Sequence, residues 1–234
     1  MAVSSRLLLG VSVGDRNAEQ ADRFVAQIVL YLKSLPLFQV DNWKVYYGAF
    51  LRIAYRVVHR RRRSASQRGR RPGPVLAPRE DLRVAVVNKV RDARGKLVKV
   101  LRFALYGTLK EAKKIIADSG IGRRINTSFI ERLHATMRGQ TARLFRRTRA
   151  GSMLVGLLQH QLWLWRDVYN WLRVHRSLQG RTPAMAAGLT DHLWSVPEYV
   201  RYPVHPDPYD EAEQEDRLKE LLDCPLDPRK RAAG

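Results

Sequence analysis

Residues 36–58 read PLFQVDNWKVYYGAFLRIAYRVV, and the fold class turns on how they are parsed. Pro36 stops whatever helix precedes it. Leu37-Phe38-Gln39-Val40 is a short apolar run of the buried-strand kind, and Asp41-Asn42 closes it. From Trp43 the pattern changes to helical spacing. Trp43, Tyr47, Phe50, Leu51, Ala54, Val57 and Val58 share one face, which predicts a helix running to Val58. A strand that ends in an acid and feeds a helix is a building block of α/β folds.

Upstream, Asn17 with Gln20 three residues on marks a helix start, and Ala21, Phe24, Val25, Ile28, Val29 and Leu32 continue it. Before it, Arg6–Gly14 mixes apolar and β-branched residues and is expected to be a strand. Downstream, Arg60–Arg71 holds seven arginines in twelve residues with no acid, then Pro72-Gly73-Pro74, and reads as a flexible basic loop. Leu82–Val90 and Lys96–Leu105 flank Asp92-Ala93-Arg94-Gly95 as a hairpin. Helices are expected over Thr108–Asp118, Ser128 to about Thr148, Leu154–Leu172 and Thr182–Gly188. Strands alternating with helices before an all-helical end indicate α/β architecture with a helical C-terminal extension. Residues 205–234 look like a Pro-rich, acidic tail, with a short helix around Asp216–Leu222.

Charge narrows the partner. The chain carries 43 Lys+Arg against 22 Asp+Glu, a formal net charge of +21. Residues 1–204 hold 38 basic and 13 acidic side chains, and 205–234 hold five and nine, so the body is near +25. Such an excess points to a polyanion, most simply nucleic acid. Cys224 is the single cysteine, which excludes a disulfide framework and a thiolate zinc site. The longest apolar stretch, Leu154–Leu172, is interrupted by Gln159, His160, Gln161, Arg166 and Asp167, unlike a membrane span. A cytoplasmic protein with no membrane partner is expected.

No Walker loop, dinucleotide fingerprint, HExxH or nucleophile elbow is present. The candidate chemistry rests on carboxylates. Asp41 ends a strand and Glu131 opens a later helix, and two such acids can hold Mg²⁺ through hard oxygens. Glu131, His134 and Arg138 at i, i+3 and i+7 share a helical face suited to a metal and a phosphate. Plainer readings stand beside these. Ser128 and Glu131 also fit a capping box, and Asp41-Asn42 fits an N-cap. Spacing leaves both open.

The segment INTSFIERLHATMRGQTARLFRRTR (Ile125–Arg149) resembles the signature around the last carboxylate of DDE-type insertion-sequence transposases. FQVDNWKVYYGAFL (Phe38–Leu51) is similar to the family's second-carboxylate segment. VSVGDRNAEQADRF (Val11–Phe24) resembles the strand and helix before it. YNWLRVHRSLQGRTPAMAAGLTDHLW (Tyr169–Trp194) resembles the terminal segment of many transposases and integrases. Together they cover about residues 6–204, in order. The resemblance implies an RNase H-like fold over residues 1–150 (partial, with the basic loop 60–74), a helical extension over 151–204 and the tail 205–234. It implies metal-dependent DNA cleavage and strand transfer during transposition. Asp41 and Glu131 would ligate Mg²⁺ or Mn²⁺ at a two-metal site, and the enzyme would act as a homo-oligomer on element ends and target DNA.

Asn42 stands where the family usually has Gly, and His134 where it has Asn. The family's first catalytic Asp belongs on a strand preceding Arg6–Gly14, outside these residues. Activity of this chain alone is therefore not expected, and an upstream or frameshifted product would have to supply that strand. The rival reading is a non-catalytic basic protein holding DNA or RNA by phosphate contacts. Arg60, Arg61, Arg62, Arg63, Arg68, Arg70, Arg71, Arg143, Arg146, Arg147 and Arg149 would make those contacts, with His134 and Arg138 added under the transposase reading.

Overall fold

The computed structural model describes residues 1–59, 73–145, 149, 151–202 and 208–226. The chain folds as two compact units, each assembled from two sequence segments. One comprises Arg16–Ala112 with Pro208–Gly234, the other Met1–Asp15 with Lys113–Asp207. This division is discontinuous, whereas the sequence reading cuts the chain linearly at 150 and 204. The architecture is mixed α/β.

The first unit carries the sheet. Helix α1 (Ala18–Leu30) starts where expected, with Asn17 accepting a bond from the Gln20 N–H. Strand β1 (Leu37–Asp41) follows, then helix α2 (Val45–Ile53). The helix does not reach Val58 as expected. It ends at Ile53, and Tyr55–Val58 becomes strand β2, antiparallel to β3 (Val75–Pro78). Tyr, Val and Val suit a pleated surface, and pairing with β3 overrides the helical spacing. Strands β4 (Arg83–Arg91) and β5 (Leu97–Tyr106) form the expected hairpin. Asp92 Oδ1 accepts from the Arg94 and Lys96 N–H groups at its turn, and Gly95 takes the positive φ that the reversal needs.

The sheet order is β1-β4-β5, with β1 parallel to β4 and β5 antiparallel to it. Central β4 buries Val84, Ala85, Val86 and Val87 in succession, the run expected of a strand covered on both faces. Val25 and Ala26 of α1, Phe50 and Ile53 of α2, and Leu82 pack with Val84. The short helix expected around Asp216–Leu222 is present and begins earlier. Pro208–Leu222 is a helix, α8, whose Leu218 is buried in this core with Leu221 and Leu222 against it, and Cys224 is buried beyond it. Three leucines at i, i+3 and i+4 explain the docking.

Helix α3 (Leu109–Asp118) straddles the division and begins with a reciprocal cap. The Thr108 N–H donates to Glu111 Oε2 and the Glu111 N–H to Thr108 Oγ1.

The second unit is helical. Helix α4 (Ser128–Gln140) is shorter than expected, passing at Thr141 into a 3₁₀ turn at Ala142–Leu144. Helix α5 (Val155–Asp167) continues into a π-helical turn at Val168–Leu172. Short helices α6 (Pro183–Ala186) and α7 (Val196–Arg201) follow. Leu8, Leu133, Met137, Leu162 and Tyr169 form the core.

The expected strand at Arg6–Gly14 is not one. Among the described residues the segment joins neither sheet, and two side-chain amides pair with its backbone. Asn170 accepts from the Leu8 N–H and donates to the Leu8 carbonyl, each at 3.0 Å. Gln159 accepts from the Val13 N–H and donates to the Val11 carbonyl. An amide offers the same donor and acceptor as a neighbouring strand, so extended backbone is satisfied without a ladder.

His192 supplies a pH-dependent tie within this unit. Its Nδ1 lies 2.6 Å from Asp191 Oδ1 and its Nε2 2.7 Å from Glu198 Oε1, and Glu198 also completes the Ser195 capping box of α7. Two carboxylate partners call for two N–H donors, the protonated imidazolium. The bonds from Asp191 first and Glu198 second raise the His192 pKa above the ordinary histidine value, and His192 holds both carboxylates below theirs. The tie is therefore complete below the ordinary histidine pKa and lost as pH rises through the raised one. On the acid side it is lost as pH falls through the lowered carboxylate values. A titration of the His192 ring followed by NMR should show the raised pKa, and Asp191→Asn should bring it down.

Candidate functional site

Asp41 is the last residue of β1, exposed at the carboxyl end of a strand paired in parallel with β4. Its Oδ1 accepts from the Trp43 N–H at 3.3 Å, a local Asx turn. It is not the N-cap of α2, a position held by Lys44 without a side-chain bond. Asn42 instead takes a hydrogen bond from the Tyr47 hydroxyl at 2.6 Å. Arg16 lies over the Trp43 ring, its guanidinium carbon 5.0 Å from the centroid. The Tyr46 pKa is raised by burial first and then by the Asp41 charge, with Arg16 opposing. Asp41 thus sits among Arg16, Trp43 and Tyr46. Arg16 lies 25 residues before Asp41 in the sequence, so spacing alone does not show the two as neighbours.

Glu131 lies in the first turn of α4 and is exposed. The capping box read from Ser128 does not form. Thr127 is the N-cap residue, its hydroxyl donates to Glu131 Oε1, and Ser128 donates through both its N–H and its hydroxyl to Asn126 Oδ1. Glu131 is thereby taken out of the cap, and its carboxylate is fixed against a buried threonine. His134 and Arg138 are exposed on the same face, whereas Leu133 and Met137 turn inward. Among the basic candidates, Arg143 is exposed and donates to Ser152 Oγ at 3.4 Å. Arg149 is exposed. Arg60, Arg61, Arg62, Arg63, Arg68, Arg70, Arg71, Arg146 and Arg147 lie outside the described residues.

Asp41 belongs to the sheet-bearing unit and Glu131 to the helical one. Among the described residues no group of three or more His, Cys, Asp or Glu side chains gathers to hold a metal. The donor chemistry of Asp41 and Glu131, exposed carboxylates offering hard oxygens, fits Mg²⁺ or Mn²⁺.

No family model, curated protein or solved structure matches this chain.

The Tyr169–Trp194 segment has an evident architectural role. Asn170 holds the Leu8 backbone. His175 pairs through its N–H with the Arg181 carbonyl, and its ring meets Tyr169 edge-on at 4.6 Å. Leu178 is buried, and Gln179 turns the chain with a left-handed φ of 57°. Thr182, fully buried, caps α6 through the Met185 N–H, with Pro183 beginning that helix. These are bonds that shape the segment.

Proposed function

We propose that this chain is the catalytic-domain portion of a DDE-type insertion-sequence transposase with an RNase H-like fold, acting in metal-dependent DNA cleavage and strand transfer. The observation that carries the reading is Asp41 at the carboxyl end of a parallel strand, where α/β sheets present ligand-binding groups. The four ordered segments and the +21 charge support it. Asp41 and Glu131 would hold Mg²⁺ or Mn²⁺. When bound, such ions supply an activated water or 3′-hydroxyl and neutralise the leaving oxygen. His134 and Arg138, exposed on the same helix as Glu131, would orient a phosphate under this reading.

The family implies three carboxylates and the reading assigns two of them here, so the proposal pairs the chain with a second polypeptide that supplies the other. By itself the chain is expected to bind DNA, and in that pairing divalent-metal-dependent nicking should appear. Asp41→Asn and Glu131→Gln should each return it to background while DNA affinity stays within about twofold, since neither group is a phosphate-contacting cation. Variants that cut like wild type would leave Asp41 as a turn residue and Glu131 as a partner of Thr127.

Self-association is part of the proposal. Leu157, Gln161 and Leu164 fall at heptad spacing along α5, Val168 follows directly at its end, and the three apolar members are exposed. Met153–Trp165 carries no formal charge, so two copies can meet there without the repulsion that +21 imposes elsewhere.

The second reading, a non-catalytic binder of DNA or RNA, draws on the net charge alone. It calls for the same steep salt dependence of affinity but no nicking under any metal or with any second polypeptide.

A further inference from the structure

The β4–β5 hairpin outgrows the core it starts from. Val84–Val87 are buried, but every residue from Lys89 to Lys99 is exposed, as are Leu101 and Arg102. Across this arm stand Lys89, Arg91, Arg94, Lys96, Lys99 and Arg102, against the single acid Asp92. Asp92 is taken up by the turn, where Oδ1 accepts from two N–H groups.

The pairing register sorts these charges. Val87 opposes Arg102, Lys89 opposes Val100 and Arg91 opposes Leu97, so Lys89, Arg91 and Arg102 lie along one face. Val90 opposes Lys99 on the other, and Arg94 and Lys96 stand at the turn. A register shift between Val90 and Arg91 inserts Val98, which is 66% exposed at the tip beside Leu97. In the sequence the cations lie within fourteen residues, interleaved with valine and leucine, and the antiparallel register sorts them between the two faces and the turn.

We propose that this arm is a DNA-contacting ribbon that enters the major groove of duplex DNA, an inference that rests on the DNA-binding part of the reading above. Two strands about 4.8 Å apart with their side chains match a groove about 12 Å wide. The cations reach flanking phosphates from both faces, and Val98 and Leu97 are left at the tip to meet base edges and thymine methyls. A-form RNA has a deep, narrow major groove that excludes such a ribbon, so duplex DNA is the committed partner.

The test uses the full chain and a fluorescent 20-base-pair DNA duplex, with affinity measured from low to moderate salt. A variant carrying Arg94→Gln, Lys96→Gln and Lys99→Gln changes exposed side chains only. Its unfolding midpoint should match wild type. Its affinity should fall about tenfold, and the slope of log affinity against log salt should shrink by about 0.9 for each phosphate no longer neutralised. Val98→Ser should weaken the DNA complex with that slope unchanged. Wild-type binding that is tight and salt-dependent, with the triple variant indistinguishable from it, would overturn the ribbon alone and leave these lysines as guards of an edge strand. Equal affinity of the wild-type arm for an RNA duplex would overturn major-groove entry. Absence of wild-type binding to any duplex would sink the DNA-binding reading itself.

Discussion

Asp22→Ala should destabilise the sheet-bearing unit by about 3–5 kcal/mol, the cost of removing one partner of a buried ion pair. Asp22 is 3% exposed on the inner face of α1 and receives two hydrogen bonds from Arg52 of α2, Nε to Oδ2 at 3.0 Å and Nη2 to Oδ1 at 2.7 Å. The fork geometry fixes the angle between the two helices as well as their contact. Removing the carboxylate leaves a guanidinium whose side chain is only 15% exposed. Against a total stability of about 5–15 kcal/mol, that loss is decisive. Urea unfolding should show it as a lower midpoint. Replacing both partners by Leu and Met should recover much of the stability, because an apolar pair of similar volume avoids the desolvation of two charges. A loss below about 1 kcal/mol for Asp22→Ala would mean that the pair behaves as a surface ion pair. Gly48 belongs to the same arrangement. A Cβ there would lie 2.5 Å from Arg52 Nη1, so Gly48→Ala should displace the guanidinium from its carboxylate and cost a smaller amount.

Asn170→Ala should release the N-terminal segment and cost about 2–6 kcal/mol. Asn170 and Leu8 are both buried, and the substitution strips bonds from the Leu8 N–H and carbonyl together. Each buried backbone group left unpaired costs about 1–3 kcal/mol. Asn170→Asp keeps the acceptor for the N–H but removes the donor to the carbonyl, so an intermediate loss is expected. Gln159→Ala acts on the half-buried Val11 and Val13 and should cost less. Hydrogen exchange at the Leu8 amide separates these outcomes from a general loss of stability. It should accelerate far more in Asn170→Ala than the amides of Leu133 and Met137 in the middle of α4. Protection that persists at Leu8 would show that side-chain packing, with Leu8 itself 3% exposed, holds the segment instead.

Local chemistry made several elements readable in advance. Asn17 with Gln20 marks the start of α1, Asp92 and Gly95 mark the hairpin turn, and Thr182-Pro183 opens α6. Each depends on groups within a few residues of one another. The elements that differ from expectation depend on distant partners. Tyr55–Val58 has helical spacing in sequence, yet β3 captures it as a strand. Arg6–Gly14 has strand composition, yet amides about 150 residues away replace the ladder. Around Asp41 the strand and its terminal acid were legible, whereas Arg16 was not. At Glu131 the helix start was legible, but the partner is the Thr127 hydroxyl and the cap of Ser128 does not form.

By itself, then, the sequence determined the alternation of strands and helices, the +21 charge, and the two acids worth testing. Those properties follow from composition and from spacing along a few turns of chain. Tertiary structure alone decided that Asp22 and Arg52 pair, that α8 belongs to the sheet-bearing core, and that the hairpin register sets Lys89, Arg91 and Arg102 on one face. The physical reason is the same in each case. Burial and pairing act between groups far apart in the chain, and their energies exceed the local preferences that a sequence displays.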